Sequence, residues 1–430
     1  MKKNIVIIYG SRSTEHDISI LSALQIYNAI DKQKYNVDLI YVSHNFKWYT
    51  GKKLRDLSTY KEFDTKGLKE VAILPSSQYL YIKNMLGFRQ YKKIDCAILS
   101  LHGKNGEDGT IQGLLELSQI PYTSSGVVGS SVGLDKNIMK QVFLQNKIPI
   151  TKYVELCKSD FDSKNYNIQK IIKKVELPVI VKPNSLGSSI GISMCRTIDE
   201  LIDGIKLAFL FDEKVLIEKL VQNLKEVNIS VLGDGKDCIV SATEEVQNKG
   251  EFLTFEKKYL SSNFPNKTQN KVKNNQKNSK IEAKNSNFAT KSKKELEFLT
   301  NKVDSETQNN KSSGTKNGMQ NLDRIIPANI TKTQKKLIEN LAKKIFIATN
   351  SKGVVRIDFM IDTKTQKVYA NEINTIPGSF AFYLWEKCGI TFDKLADRLI
   401  EIASNRNKEQ EKLISNFDSS VLNQGVAVKK

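Results

Sequence analysis

Residues 4–31, NIVIIYGSRSTEHDISILSALQIYNAID, decide the architecture of this chain. IVIIY is apolar without a break, the pattern of a strand buried on both faces, as in a parallel sheet. GSRSTEHD turns the chain. A helix then follows from about Ile18 to Asp31, with Ile20, Leu24 and Tyr27 on one face. VDLIYVS at 37–43 and IDCAILS at 94–100 read as further strands of the same sheet. Strand, turn, helix, strand is the signature of an α/β domain. Its ligand residues belong at the carboxyl ends of the strands, where GSRSTEHD and LHGKNGEDGT lie.

The 430 residues leave room for two to three domains, and 40% hydrophobic content supports ordinary cores. No run of 18 apolar residues marks a membrane span. MKKNIVIIYG reads as a first strand, because a secretion signal needs a longer apolar stretch and a small-residue cleavage site. The five cysteines are scattered and never form CxxC, which points to a reducing cytoplasm and away from disulfides or zinc.

The net charge of +19 raises the question of polyanion partners. Part of it is local: residues 264–311 hold eleven lysines against five acids. Within that tract, NKTQNKVKNNQKNSK at 266–280 has five lysines, five asparagines and a single apolar residue, Val272. It lacks the arginines and interleaved aromatics that stack on bases, so nucleic-acid binding is not expected.

From about residue 121 the character changes. A helix is expected near Asp135–Asn146, then the strand PVIVKP, the loop NSLGSSIG and the strand VLIEKL, a smaller α+β unit. The third part resumes at EVNISVLGD, crosses the polar tract, forms a helix near 331–349 and ends on GVVRIDFMID and KVYANEIN. No internal repeat is visible. The expected domains are 1–120, 121–216 and 217–430.

Two stretches carry chemistry. In NSLGSSIG, Gly187, Ser188, Ser189 and Gly191 allow backbone N–H groups and hydroxyls to approach phosphate, and Lys182 at the end of PVIVKP supplies a cation. GxxxxGK[ST] is absent, so this is no P-loop, and a plain hairpin turn has the same composition. In the C-terminal strand pair, Glu372 and Asn374 share a face, and a neighbouring strand can bring Asp358 beside them. Three oxygen donors suit Mg²⁺, and a solvated strand face is the plain alternative. Arg356, two residues before Asp358, shares its face and suits a developing negative charge.

LHGKNGEDGTIQGLLE, GLDKNIMK, VIVKPNSLGSSIG, VLIEKL, EKKYLS, VRIDFMID and NEINTIPG follow one another in the order found in D-alanine–D-alanine ligases. From Asn4 to about Ile402, apart from the polar tract, the chain resembles this family of the ATP-grasp superfamily. The resemblance implies an α/β ATP-grasp fold, with a parallel-sheet N-terminal domain followed by two α+β domains that grip ATP. It implies ATP-dependent joining of two D-alanines through a D-alanyl phosphate, for peptidoglycan synthesis, with D-serine or D-lactate as alternative acceptors. The implied cofactors are ATP and two Mg²⁺, with Mn²⁺ as a substitute. The implied partners are D-alanine and ATP, with no nucleic acid and no membrane, in a cytoplasmic homodimer.

Residue by residue, the resemblance places Glu15 on the first D-alanine's ammonium, although an acid there also suits a helix N-terminus. His102 falls near the substrate and the transferring phosphate. Lys136 and Lys182 fall on ATP phosphates, and Glu218 and Leu220 on the adenine through backbone groups. Glu226 falls on the ribose, and Lys258 on adenine or phosphate. Ser188 and Tyr259 link with Glu15 in a network that holds the closed site. Arg356 and the Gly378 N–H face the oxyanion, and Asp358, Glu372 and Asn374 hold the metal ions.

One departure stands out. Many members of the family carry a serine a few residues after the PG turn, contacting the second substrate's carboxylate. Here PGSFAFYLWE puts Tyr383 there, with the hydroxyl of Tyr383 or Ser379 as its substitute. The polar tract lies between EKKYLSSN and SSGTKNGMQNLDRIIPANI, so it reads as an insertion at about 264–311 in a loop over the active site. It is expected to be disordered apart from a short helix near Lys293–Val303.

Overall fold

A computed structural model describes residues 2–247 and 324–414. The insertion expected at 264–311, the short helix expected within it, Lys258 and Tyr259 lie outside the described residues. Three sheets organise the rest. The first contains β1 (Lys3–Gly10), β2 (Tyr35–Val42), β3 (Trp48–Thr50), β4 (Lys69–Ile73), β5 (Tyr79–Asn84), β6 (Gly87–Lys93) and β7 (Cys96–Ser100), in the order β6-β5-β4-β3-β2-β1-β7. β1 pairs in parallel with β2 and β7, the strands expected from the sequence. Four antiparallel strands extend that core outward from β2, making the sheet mixed.

The apolar run of β1 has its physical reason here. Ile5, Ile7 and Tyr9 pack on one face with Ile20, Leu24 and the C-terminal residues Leu395 and Leu399. Val6 and Ile8 pack on the other with Leu99, Ile111 and Leu115. The helix that follows β1 spans His16–Ala29, and the last helix, Phe392–Glu411, returns from the far end of the chain to cover the same face.

The second sheet contains β8 (Tyr153–Cys157), β9 (Val179–Pro183), β10 (Ser193–Cys195) and β11 (Lys214–Lys219), in the order β10-β9-β11-β8. The helix Lys136–Gln145 leads into it, started by Asp135, whose carboxylate accepts from Ile138 N at 2.9 Å. The third sheet contains β12 (Leu224–Asp234), β13 (Asp237–Val246), β14 (Arg324–Ile325), β15 (Lys352–Asp362) and β16 (Val368–Asn374), in the order β14-β13-β12-β15-β16. Thr331 and Gln334 form a capping box that starts the helix Lys332–Ala348. Its Ile338, Leu341, Ala342 and Ile345 meet Val227, Ile229, Val355 and Ile357 of the sheet. Among the described residues, no helix is long and apolar enough to cross a membrane.

Candidate active site

The site forms where the three sheets converge, and it has two connected parts. The larger cleft, about 260 Å³, lies between the second and third sheets. Ile180, Met194, Leu220 and Met360 give it apolar walls, and Lys136, Lys182, Glu226 and Glu372 give it charge. The smaller cavity, about 80 Å³, is lined by Glu15, His102, Arg356, Asn374, Gly378 and Tyr383 among others. Ser188, Glu226 and Glu372 line both.

Glu15 occupies the N-cap position of the helix His16–Ala29, yet its carboxylate makes no capping bond. It accepts a hydrogen bond from the Ser188 hydroxyl instead. Two glycines clasp it: a Cβ on Gly103 would stand 2.8 Å from one Glu15 oxygen, and one on Gly187 would stand 3.0 Å from the other. Ser188 and Ser189 both adopt left-handed backbone conformations, φ 54° and 60°, which turn the loop over Glu15.

Beside Glu15 lies Glu107, in the GED stretch that sequence reasoning quoted without assigning a role. Its carboxylate accepts from Gly103 N at 2.8 Å and Ile376 N at 3.0 Å, tying the N-terminal domain to the strand end after β16. Burial pushes its carboxyl well above the usual range, and the charge of Glu15 adds to the push. His102 Nε2 meets Ser22 Oγ at 3.0 Å, and Ser22 Oγ also accepts from Ser379 N at 2.9 Å. Burial pulls the imidazole down to about 4, so it is neutral at neutral pH.

The register of the third sheet places Arg356 opposite Asn374 and Asp358 opposite Glu372. Arg356 grips Asp358 with two parallel hydrogen bonds of 2.7 Å, from Nε and Nη2, and Asn374 Nδ2 adds a third at 3.2 Å. Asp358 is 3% exposed and lies beneath the guanidinium instead of lining either cavity. A register shift after Asp358 leaves Asn371 as an extra residue in β16, and Asn371 and Glu372 both reach the larger cleft. Asn371 Oδ1 accepts from Lys182 Nζ at 3.3 Å; Asn371 opens the quoted NEINTIPG, but the sequence reading gave it no role.

Glu218 carries the most crowded carboxylate. Lys140 Nζ lies 2.5 Å from Oε1, Lys182 Nζ 2.6 Å from Oε2, and Thr151 also donates to Oε1. Burial works against its charge, but the two ammonium groups win and hold it at about 2. Its side chain is therefore committed to Lys140, Lys182 and Thr151. Lys140 was not among the expected residues, although it ends the quoted GLDKNIMK. It lies one helical turn from Lys136, whose Nζ donates to Leu186 O at 2.5 Å and sits 3.8 Å from Glu372.

After the PG turn, Ser379, Phe380 and Ala381 all adopt left-handed conformations, with φ of 52°, 55° and 50°. The bond from Ser379 N to Ser22 and the burial of Phe380 and Ala381 hold this turn. Tyr383 then lines the smaller cavity, whereas Ser379 does not. Asn228, Glu244 and Arg324 line it too. Sequence reasoning missed them because they come from separate strands and carry no motif.

The family model described as the D-ala D-ala ligase N-terminus matches residues 4–125, and the one for the C-terminus matches 142–304 and 310–401. The D-alanine–D-alanine ligase of Thermosipho melanesiensis is 34% identical over 97% of this chain and 98% of its own. That of Thermosipho africanus is 32% identical over 97% and 98%. The solved D-alanine–D-alanine ligase of Coxiella burnetii superimposes with a TM-score of 0.71 at 25% identity, covering 96% of this chain and 97% of that one. The VanG D-Ala:D-Ser ligase of Enterococcus faecalis, at TM-score 0.68 and 24% identity, covers 94% and 100% and shares the fold. With both halves matched by the family's models and relatives above 30% identity over nearly the full length, the chain belongs to the D-alanine–D-alanine ligase family.

Proposed function

We propose the following course at this site for the family's reaction, the ATP-dependent, ADP-forming joining of two D-alanines into D-alanyl-D-alanine. ATP lies in the larger cleft, with its base against Ile180, Leu220 and Met360, its ribose near Glu226 and its phosphates toward Lys136 and Lys182. The first D-alanine lies in the smaller cavity with its ammonium on Glu15. The observation that carries this reading is the continuity of the two parts at Ser188, Glu226 and Glu372. There a carboxylate oxygen can reach the γ-phosphorus. Phosphoryl transfer releases ADP and leaves D-alanyl phosphate, whose phosphate is a leaving group that a free carboxylate lacks.

The amine of the second D-alanine then attacks the activated carbonyl, and phosphate departs. Arg356 and the Gly378 N–H stabilise the oxyanion of the tetrahedral intermediate. Neutral His102 contributes a hydrogen-bonding dipole here, because burial withholds its charge. Glu107 holds Gly103 and Ile376, and through them the walls around both substrates.

Asp358, Glu372 and Asn374 offer oxygen donors alone, in register on adjacent strands, which fits a hard cation that also binds phosphate. Held there, Mg²⁺ or Mn²⁺ would supply charge to neutralise phosphate oxygens and keep the reactants in line. Asp358 would contribute to such a set from beneath the guanidinium, where Arg356 holds it through two hydrogen bonds. Two ions, a homodimeric assembly, a cytoplasmic location and domain divisions near residues 120 and 216 complete the proposal.

The test is phosphate release from ATP and Mg²⁺ with D-alanine, with L-alanine as the control. Release without D-alanine dependence refutes it. Mass analysis of products from mixed D-alanine, D-serine and D-lactate identifies the acceptor.

A further inference from the structure

Tyr383 stands where many relatives have a serine, but its proton is already committed: Oη donates to Glu244 Oε2 at 2.9 Å. A phenol that gives its proton to a buried carboxylate cannot also give it to a substrate carboxylate. Arg356 spends Nε and Nη2 on Asp358, and in the reaction proposed above its remaining N–H groups serve the oxyanion. The acceptor's negative charge needs another partner, and the same cavity wall contains one.

Arg324, on β14, lies beside Glu244 of β13, with Nε 3.1 Å from Glu244 Oε1. Its guanidinium carbon stands 4.7 Å from the centre of the Tyr383 ring. Glu244 is 1% exposed; its Oε2 also accepts from Asn228 Nδ2 at 3.3 Å, while Oε1 makes no hydrogen bond and faces Arg324 Nε as an ion pair. Arg324 has five N–H donors, and among the described residues its one acidic partner is Glu244, met through Nε. The planar fork that remains suits a carboxylate. Arg356 lies between the two ends of the cavity. Its charge is felt by His102 on the donor side and it feels Tyr383 and Glu244 on this side.

We propose that Arg324, oriented by Glu244 and the ring of Tyr383, binds the carboxylate of the acceptor amino acid and selects acceptors that carry one. This rests on the ligase reading above. Glu244 and Tyr383 act as positioning residues in it: one anchors Nε, and the other supplies a flat face.

The experiment uses the full chain with D-alanine as donor and either D-alanine or D-alaninamide as acceptor. D-Alaninamide keeps the amine and lacks the carboxylate, so it cannot serve as donor. The wild type should prefer D-alanine strongly, by tenfold or more in kcat/KM for the acceptor. R324Q should bring the two acceptors within about threefold of each other and raise the acceptor KM at least tenfold, with the donor and ATP KM within twofold. R324K should recover part of the preference. The ratio is read within one sample, so partial loss of folded enzyme does not affect it. A preference in R324Q equal to that of the wild type, or an equal rise in donor and acceptor KM, overturns the inference alone. Absence of dipeptide from the wild-type chain overturns the ligase reading, and the inference with it.

Discussion

The Ser188 hydroxyl donates to the carboxylate of Glu15, joining a loop of the second sheet to the first helix of the N-terminal domain. Glu15 makes this contact in place of capping its own helix, and in the reaction proposed above the contact holds it for the substrate ammonium. A hydrogen bond to a charged group contributes about 1.5–3 kcal/mol. Ser188→Ala should therefore lower kcat/KM for D-alanine by roughly ten- to a hundredfold. The melting temperature should stay within a few degrees, because the loop is not part of a core cluster. Steady-state kinetics and thermal melts check both.

Lys140→Met leaves Glu218 with one ammonium group where two had held it. Breaking a buried ion pair on one side costs about 3–5 kcal/mol, and the remaining Lys182 and Thr151 moderate this toward the lower figure. Urea unfolding should show that loss, with a weaker affinity for ATP because Lys182 shifts toward Glu218. Unchanged stability would mean that the pair is not formed in solution.

Arg356→Lys keeps the charge but loses the planar fork on Asp358. The expected result is a fall in kcat of about 10²–10³, the range for removing an oxyanion donor. KM for ATP should change little. Kinetics at saturating D-alanine measure this directly.

His102 titrates near 4, below its ordinary value of 6.5, because burial opposes its charge. A lowered histidine means that the unfolded chain binds more protons between these values, so stability falls as pH drops from 6.5 to 4. The loss from this group amounts to roughly 3 kcal/mol. His102→Gln keeps a polar partner for Ser22 and removes the titration. The stability difference between wild type and variant should shrink by that amount over the same range, measured by denaturant unfolding at several pH values.

Much of this molecule is legible along the chain because its signals are local. The buried β1, the capped helices and the strand ends follow from patterns of a few residues, and the ordered motifs name the family. Lys136, Lys182 and Glu372, quoted in the motifs, line the larger cleft, and Tyr383, a departure from the family pattern, lines the smaller cavity. Lys140 was legible in principle, one helical turn beyond Lys136. The extra residue at Asn371 was not, since a register shift depends on how β15 and β16 pair.

By itself the sequence determined the α/β architecture, the order of its parts and the chemistry available at each strand end. These are written in periodicity and in contiguous residues. Only the tertiary structure decided which charges meet. It set Asp358 beneath Arg356, enclosed Glu218 between two lysines, and brought Glu244 and Arg324 together from strands far apart in the chain. Burial then gave those pairs their character, since a charge removed from water must find its partner within the fold.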